Sequence, residues 1–186
     1  MTEVSADKRA AENAVSLQAF REAMSRLGAA VNIITSDGPH GQLGFTATAV
    51  CSISDEPPSL LVCMNRRSQQ NTPLKANGVF CVNTLSSRHR GLSGVFSGAG
   101  ELEMKQRFQQ AQWSTIMTGS PVLEDAVVSF DCKIVQALEI NTHSILIAEV
   151  LGIKSGDNVR SLIYLNRTYH EVGPPPAYPE NSRGWL

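Results

Sequence analysis

A strict alternation of apolar and polar residues at positions 128–134 constrains the fold more than any other feature of the sequence. A period of two is typical of a β-strand with one buried face and one wet face. Short runs rich in apolar and β-branched residues, separated by turn residues, recur along the chain. They predict further strands at 29–35, 44–54, 59–65, 79–85, 143–153 and 161–172.

Helical patterning is confined to three places outside these strands. Ser16 is a candidate N-cap for an amphipathic helix that stops near Gly28. A second helix is predicted at 68–76 and a broken helical stretch at 88–112. The regular strand–helix alternation of a doubly wound sheet is absent, so we predict a mainly β fold: an antiparallel barrel with peripheral helices.

The predicted domain covers residues 16–172, between a polar tail at 1–15 and a proline-rich tail at 173–186. A chain of 186 residues is long enough for one domain with a sizeable core. The formal charge is −1, which argues against both a nucleic-acid-binding face and a polybasic membrane patch. No apolar run approaches the ~20 residues of a membrane span, and the first residues do not resemble a secretory signal.

Four cysteines are present without a C-x-x-C pair, so no zinc or dithiol site is predicted. We expect each of them to be a small buried apolar residue and the protein to reside in the reducing cytoplasm. The sequence also lacks the glycine-rich and nucleophile motifs of Rossmann, P-loop and hydrolase sites.

Residues 44–52 form the most unusual segment, a predicted strand of mostly small and hydroxylated residues. Small side chains allow a flat ligand to approach the main chain closely. They equally suit a strand packed against a helix or a second subunit. Composition alone leaves both interpretations open.

The order of short motifs along the chain resembles the short-chain flavin reductases. The resemblance runs from about residue 17 to 172 and rests on the segment from Gly44 to Asn65. Further matches follow in the family's order, among them Val82-Asn83, Arg107-Phe108, residues 119–123, Ser129–Cys132, Thr142-His143 and Leu162–Tyr164. Two branches of the family are most similar, those of pyrimidine utilisation and of 4-hydroxyphenylacetate hydroxylation. Residues 29–35 and 83–86 favour the pyrimidine branch.

The resemblance implies an FMN-binding split barrel of antiparallel, Greek-key type that forms a homodimer with flavin near the subunit interface. It implies NAD(P)H-dependent reduction of FMN or FAD, with NADH expected to be preferred over NADPH and reduced flavin supplied to a partner monooxygenase. The pyrimidine branch favours FMN. The alternative is a flavin carrier or sensor on the same barrel without turnover, and a purely structural dimeric barrel is a third possibility.

The resemblance also implies a set of site residues. Those expected along the isoalloxazine ring are Thr46, Ala47, Thr48 and Ala49. Those expected near the ribityl chain or phosphate are Asn32, Ser52, Asn65, Ser68 and Asn83, with Phe96 close by. Charge alone adds Arg66, Arg67 and Lys75, whereas Tyr164 and Arg167 are weaker candidates, Arg167 for a flavin or nicotinamide phosphate because its planar fork suits that group.

His143 begins a predicted strand, where a lone histidine is most often a structural hydrogen-bonding residue. The resemblance instead implies that it positions the nicotinamide beside the flavin. The family often has glycine two residues before this histidine, and here the residue is Asn141. Asparagine tolerates a positive φ better than most residues, so we expect the turn to be retained. The other histidines, His40, His89 and His170, are expected to be exposed.

Overall fold

The computed structural model describes residues 15–157 and 159–174. An antiparallel sheet of seven strands dominates it, in the order β3-β2-β6-β9-β10-β5-β4. Its strands are β2 (Asn32–Ser36), β3 (Leu43–Ala47), β4 (Val50–Asp55), β5 (Pro58–Asn65), β6 (Val79–Thr84), β9 (Val128–Ile140) and β10 (His143–Ser155). The mainly β class is therefore confirmed, while closure into a split barrel stays a prediction. The predicted tails lie almost entirely outside the described residues.

Two smaller sheets and four helices complete the described fold. A three-stranded sheet contains β1 (Ala29–Ala30), β11 (Ser161–Leu165) and β12 (Thr168–Val172), and a two-stranded one contains β7 (Trp113–Ser114) and β8 (Val122–Leu123). The helices are α1 (Leu17–Ser25), α2 (Asn71–Asn77), α3 (Arg90–Phe96) and α4 (Met104–Phe108), with a short 3₁₀ turn at Ser87–His89. No described helix has the length and apolar character needed to cross a bilayer.

Local signals account for the helix ends. The Ser16 side chain accepts a hydrogen bond from the Ala19 N–H at 3.1 Å, which confirms the predicted N-cap of α1. Gly78 ends α2 with a φ of 72°, a left-handed conformation that glycine adopts without a Cβ penalty. Helix α1 ends at Ser25, before the predicted stop at Gly28, and it buries no residue.

The core lies in two clusters on either side of β2. Alternate residues of β2 point into each: Ile34 packs with Phe80, Val62 and Leu146, whereas Ile33 packs in the second cluster with the aromatic rings of α3 and α4. Strand β2 thus connects the central sheet to the layer that carries those helices.

The alternation in β9 does not leave a wet face as predicted, because Ser129 and Asp131 are buried. The carboxylate of Asp131 accepts hydrogen bonds from the N–H groups of Met117 and Thr118, at 2.7 and 2.8 Å. The loop before β8 therefore covers this part of the strand and satisfies its polar side chains. Sequence periodicity shows that a face is polar, but it does not show whether another segment covers it.

Three further expectations are wrong. The predicted strand 44–54 is interrupted at Thr48 and Ala49, since β3 pairs with β2 while β4 pairs with β5. His89 is buried rather than exposed. Its ring is satisfied there, because one ring nitrogen lies 2.9 Å from Asp125 and the other accepts a hydrogen bond from the Ser86 N–H. Cys51 is exposed on β4, the edge strand of the large sheet.

Candidate functional site

The interruption between β3 and β4 opens onto a cleft of about 360 Å³, here called the β3–β5 cleft. Ligand sites of small molecules typically measure about 300–1,000 Å³. The cleft lies between the end of β3, the end of β5, and helices α3 and α4. It is lined by Phe45, Thr46, Ala47, Thr48, Ala49, Cys63, Met64, Asn65, Ser68, Gln70, Phe96, Ser97 and Arg107.

Seven of the residues implied by the family resemblance meet in this cleft. Four come from the small-residue segment, Thr46 to Ala49, and the others are Asn65, Ser68 and Phe96. The segment thus lines an open cleft, the surrounding that the ligand interpretation of its small side chains requires, while Thr46 also contacts helix α3.

Hydrogen bonds fix the walls of the cleft. Thr46 Oγ1 donates to the Ser93 carbonyl at 2.6 Å and ties β3 to helix α3. At the end of β5, the Asn65 side-chain oxygen accepts from the Arg67 N–H at 2.9 Å, and the Ser68 N–H donates to the Asn65 carbonyl. The chain therefore turns tightly from β5 into α2, and this turn presents Asn65 and Ser68 to the cleft.

His143 lies beside the cleft but does not line it. It is the register partner of Asn65 across the β5–β10 ladder, so the two side chains share one face of the sheet. The ring is exposed, and Nδ1 lies 2.9 Å from Thr142 Oγ1. Asn141 has a φ of 50°, which confirms that asparagine supports the turn where the family often has glycine.

An ion-pair network joins the turn after β5 to the hairpin that carries His143. Arg66 Nε lies 2.7 Å from a carboxylate oxygen of Glu139. Arg66 Nη1 donates to the Asn141 carbonyl at 3.2 Å, and the Arg66 main-chain N–H donates to the Thr142 carbonyl at 2.9 Å. Lys75 pairs with the other Glu139 oxygen at 2.7 Å. Hydrogen bonding from Lys75 is the main cause that lowers the pKa of Glu139, with a smaller contribution from Arg66. Because Arg66 and Lys75 are engaged with Glu139, charge alone no longer favours them as phosphate ligands.

Asn83 does not reach the cleft, and its burial explains why. Its side chain is fully buried, with the amide nitrogen donating to Ile33 O and Thr35 Oγ1 at 3.2 and 3.0 Å. The amide oxygen accepts from the Leu123 N–H and from Ser129 Oγ, both at 2.8 Å. Every polar atom of Asn83 therefore serves the interior, and none is left for a ligand.

Four other implied residues also lie outside the cleft. Asn32 is buried on β2, where its side chain accepts from Thr84 Oγ1 at 2.9 Å. Ser52 is exposed on the edge strand β4. Tyr164 packs edge-on against Tyr169 in the three-stranded sheet, and Arg167 pairs with Glu22 of α1 at 2.8 Å. The β11–β12 hairpin is thus bound to α1 rather than directed at this site.

Sequence reasoning missed Gln70, Ser97 and Arg107 as cleft residues. Arg107 precedes Phe108, whose ring packs at 5.2 Å from Phe96 in the second core cluster. The Arg107-Phe108 pair was visible as a motif, but only the packing of α4 against α3 shows that its arginine reaches the cleft.

A separate cleft of about 650 Å³ is lined by residues that include Arg88, His89 and Asp125, and by none of the implied site residues. Both ring nitrogens of His89 are engaged there by Ser86 and Asp125. The geometry of His89 is therefore that of a structural histidine.

The thiols do not form a reactive pair or a metal site. Burial raises the pKa of Cys63 in the β3–β5 cleft and raises that of Cys132 to about 12. Both thiols are therefore protonated at neutral pH. Within residues 15–157 and 159–174, no cluster of histidine, cysteine and carboxylate side chains is suited to hold a metal ion.

Comparison with known proteins decides the family. The profile of the "Flavin reductase like domain" family matches residues 24–173. The chain belongs to the flavin reductase family. This flavin reductase is 55% identical over 157 residues to "FMN reductase (NADH) RutF" of Variovorax paradoxus (strain S110), a match that covers 84% of the chain and 86% of the relative. A protein of the same name from Stutzerimonas stutzeri (strain A1501) is 54% identical over 151 residues, covering 81% of the chain and 86% of the relative.

Solved structures agree with this assignment. A candidate flavin reductase from Haemophilus somnus 129PT superposes with a TM-score of 0.81 at 43% identity, over 85% of this chain and all of that one. Flavin reductase PheA2 superposes with a TM-score of 0.78 at 26% identity, over 86% of this chain and 100% of its own. The resemblance noted in the sequence is confirmed.

The β3–β5 cleft of this flavin reductase fits a flavin. Small side chains at Ala47 and Ala49 leave the main chain accessible to a flat ring, and Phe96 supplies an apolar surface. Arg107 provides a positive charge, which matches the anionic end of a flavin nucleotide.

Proposed function

We propose that the protein is an NADH-dependent FMN reductase that supplies reduced flavin to a partner flavin-dependent monooxygenase. The observation that carries the proposal is the small-residue cleft of about 360 Å³ at the break between β3 and β4. Relatives that are identical to this chain at more than half of the aligned residues are named FMN reductase (NADH), which supports the same activity.

The chain's own residues bind and orient the two partners of the reaction. Thr48 and Ala49 form the edge of the cleft against which the ring lies, and Asn65 and Ser68 line the turn where its polar chain leaves. A flavin held there would supply the acceptor for hydride from a reduced nicotinamide, chemistry that asks no side-chain acid or base of the protein at the transferring atom. The protein contributes proximity and alignment.

His143 positions the nicotinamide in this proposal. Its ring is exposed and lies directly opposite Asn65 in the β5–β10 ladder, so it is available to a second ligand stacked over the first. The Arg66–Glu139 ion pair keeps the hairpin of His143 in register with the turn that lines the cleft. The histidine therefore acts on the geometry of the second ligand.

We also propose a homodimer formed across the sheet face that carries His143. Leu138 and Ile140 on β9 are exposed there, and Leu138 pairs across the ladder with Ile145 of β10. Contiguous exposed apolar surface of this kind is typical of protein–protein contacts. A subunit on this face would lie next to His143 and shield the reacting atoms from water.

A reducing cytoplasm is the proposed location, supported by four unpaired thiols. The partner in this proposal is a monooxygenase that takes up diffusible reduced flavin.

The test of the function is the loss of NADH absorbance when purified protein is mixed with NADH and FMN. We expect turnover with FMN, and parallel rates with FAD and with NADPH establish the preferences. Binding of FMN without NADH oxidation would favour a flavin carrier or sensor. Absence of both binding and turnover would leave only a structural role.

A residue-level test separates the role of His143 from general damage. We expect His143→Ala to raise the KM for NADH about tenfold, equivalent to ~1.4 kcal/mol of lost binding, with little change in the Kd for FMN. His170→Ala, which removes an exposed histidine from β12, is the matched control. Equal effects on NADH and FMN would contradict the positioning role.

A further inference from the structure

Ser144 on β10 follows His143 directly and faces the interior of the fold. It is fully buried, and its Oγ lies 3.0 and 3.1 Å from the two carboxylate oxygens of Glu139, its register partner on β9. The buried side chain of Asn71 in helix α2 donates to the same Ser144 oxygen at 3.0 Å. Strand β10 is therefore fixed from its inner face at the residue next to His143.

The Glu139 carboxylate is shared by three segments of the chain. Besides the contact with Ser144, one of its oxygens lies 2.7 Å from Arg66 and the other lies 2.7 Å from Lys75 of helix α2. Arg66 belongs to the turn after β5, which lines the β3–β5 cleft. One carboxylate thus connects the turn of the cleft to the strand that begins with His143.

Glu139 lies on the opposite side of the sheet from the nicotinamide position proposed above. Neighbouring side chains in a strand point to opposite faces, so Ser144 points inward and His143 points outward. Glu139 pairs with Ser144 across the ladder and shares its face. The carboxylate therefore does not touch a ligand that lies against His143, and its effect on that ligand has to pass through the hairpin.

Stability alone is a weak reason for this network. The Arg66 and Glu139 side chains are 51% and 38% exposed, and exposed ion pairs contribute little to folding. Hydride transfer, by contrast, depends steeply on placement, because a shift of about 1 Å in a positioned group can lower a rate about 100-fold. The network is therefore better suited to fix a distance than to stabilise the fold.

We propose that Glu139 is a positioning residue for hydride transfer. By binding Arg66 and Ser144 at once, it holds His143 at a fixed distance from the β3–β5 cleft. A nicotinamide that lies against the histidine is then aligned with the ring in the cleft. The inference rests on the proposed function, because it assumes that a flavin lies in the cleft and that a nicotinamide lies against His143.

The experiment uses Glu139→Gln, which keeps the size of the side chain and removes its charge. We expect kcat/KM for NADH to fall about tenfold, while the Kd for FMN changes less than about twofold. The FMN site is expected to survive, since the Asn65 side chain accepts from the Arg67 N–H and the Ser68 N–H donates to the Asn65 carbonyl. These bonds fix the cleft turn without Glu139.

Glu171→Gln is the matched control. Glu171 on β12 also binds one arginine and one serine, Arg160 and Ser87, but neither belongs to the cleft or to the hairpin of His143. The control is expected to leave both kcat/KM for NADH and the Kd for FMN unchanged. Melting curves recorded by circular dichroism establish that both variants are folded at the assay temperature.

A double-mutant cycle with His143→Ala provides a measurement that a merely structural role would not move. If Glu139 acts through His143, then Glu139→Gln lowers kcat/KM less than about twofold once the histidine is absent, because the two effects are not additive. A general loosening of the fold would instead lower kcat/KM by the same factor with and without His143.

The outcomes distinguish this inference from the proposed function. If wild-type protein does not oxidise NADH in the presence of FMN, the proposed function fails. If wild-type protein is active and Glu139→Gln retains its kcat/KM, the proposed function stands and the positioning role is overturned. Equal factors in the two backgrounds of the cycle, or a parallel loss of FMN affinity, would overturn the positioning role as well.

Discussion

Gly44 on β3 packs directly against Phe96, and this contact allows a sharp prediction. A Cβ added at Gly44 would lie 2.6 and 2.9 Å from two Phe96 ring atoms and 3.3 Å from the tip of Phe108. The Phe96 ring cannot easily move away, since it is 2% exposed and packs edge-on against Phe108 and Trp113 at 5.2 and 5.8 Å. Gly44→Ala therefore overpacks a rigid aromatic cluster.

Overpacking of this kind typically destabilises by about 1–3 kcal/mol. For a chain of this size that is a fall in Tm of about 2–12 °C, measured by circular dichroism during heating. Because Phe96 also lines the β3–β5 cleft, the displaced ring is expected to weaken FMN binding in the same variant.

Gly91→Ala is the matched control for this experiment. Gly91 lies in helix α3, and a Cβ there would meet no atom within 4 Å. Alanine is favoured over glycine inside a helix by roughly 0.5–1 kcal/mol, so the control is expected to be neutral or slightly stabilising. A Gly44→Ala protein with the wild-type Tm and wild-type FMN affinity would refute the argument that Phe96 joins core and cleft.

Three further predictions follow from other contacts. Asn83→Ala leaves the buried Leu123 N–H without its acceptor. We expect the free energy of unfolding, measured with urea, to fall by about 1–3 kcal/mol for each buried group left unpaired. The FMN affinity per folded molecule is expected to stay unchanged. Hydrogen bonding from Lys75 lowers the pKa of Glu139, so this carboxylate stabilises the fold above its ordinary pKa and the contribution disappears as the pH falls through the lowered value. Glu139→Gln should accordingly flatten the decline of Tm in acid, and an unchanged pH profile would contradict the assignment. Leu138→Asp is expected to convert the proposed dimer into monomers in sedimentation velocity, and an unaltered sedimentation coefficient would argue for a different interface.

The sequence predicts those parts of the fold that depend on local pattern. The strand predicted at 79–85 is β6, and the Asn77–Gly78 stop of α2 is in place, because β-branched runs and a left-handed glycine act over a few residues. The break at Thr48 and Ala49 was not predicted. The break arises because β3 pairs with β2 whereas β4 pairs with β5. The residue pattern within a short segment does not show which strand that segment will pair with.

The candidate site divides in the same way. The small-residue segment was found because its composition is unusual for a strand. Asn83 was misjudged because a motif does not tell whether a polar side chain faces a ligand or the interior. Arg107 was missed because its place in the cleft depends on how α4 packs against α3, a tertiary contact that the sequence order does not express.

The double use of Phe96 has a consequence for protein engineering. Its ring belongs to the aromatic cluster with Phe108 and Trp113 and also forms a wall of the β3–β5 cleft. Bound flavin that contacts this ring should raise the melting temperature, since a ligand that binds only the folded state stabilises it by mass action. Conversely, redesign of this wall to accept a bulkier dye would lower thermal tolerance, and the compensating substitutions should be sought on the far side of the ring, around Trp113.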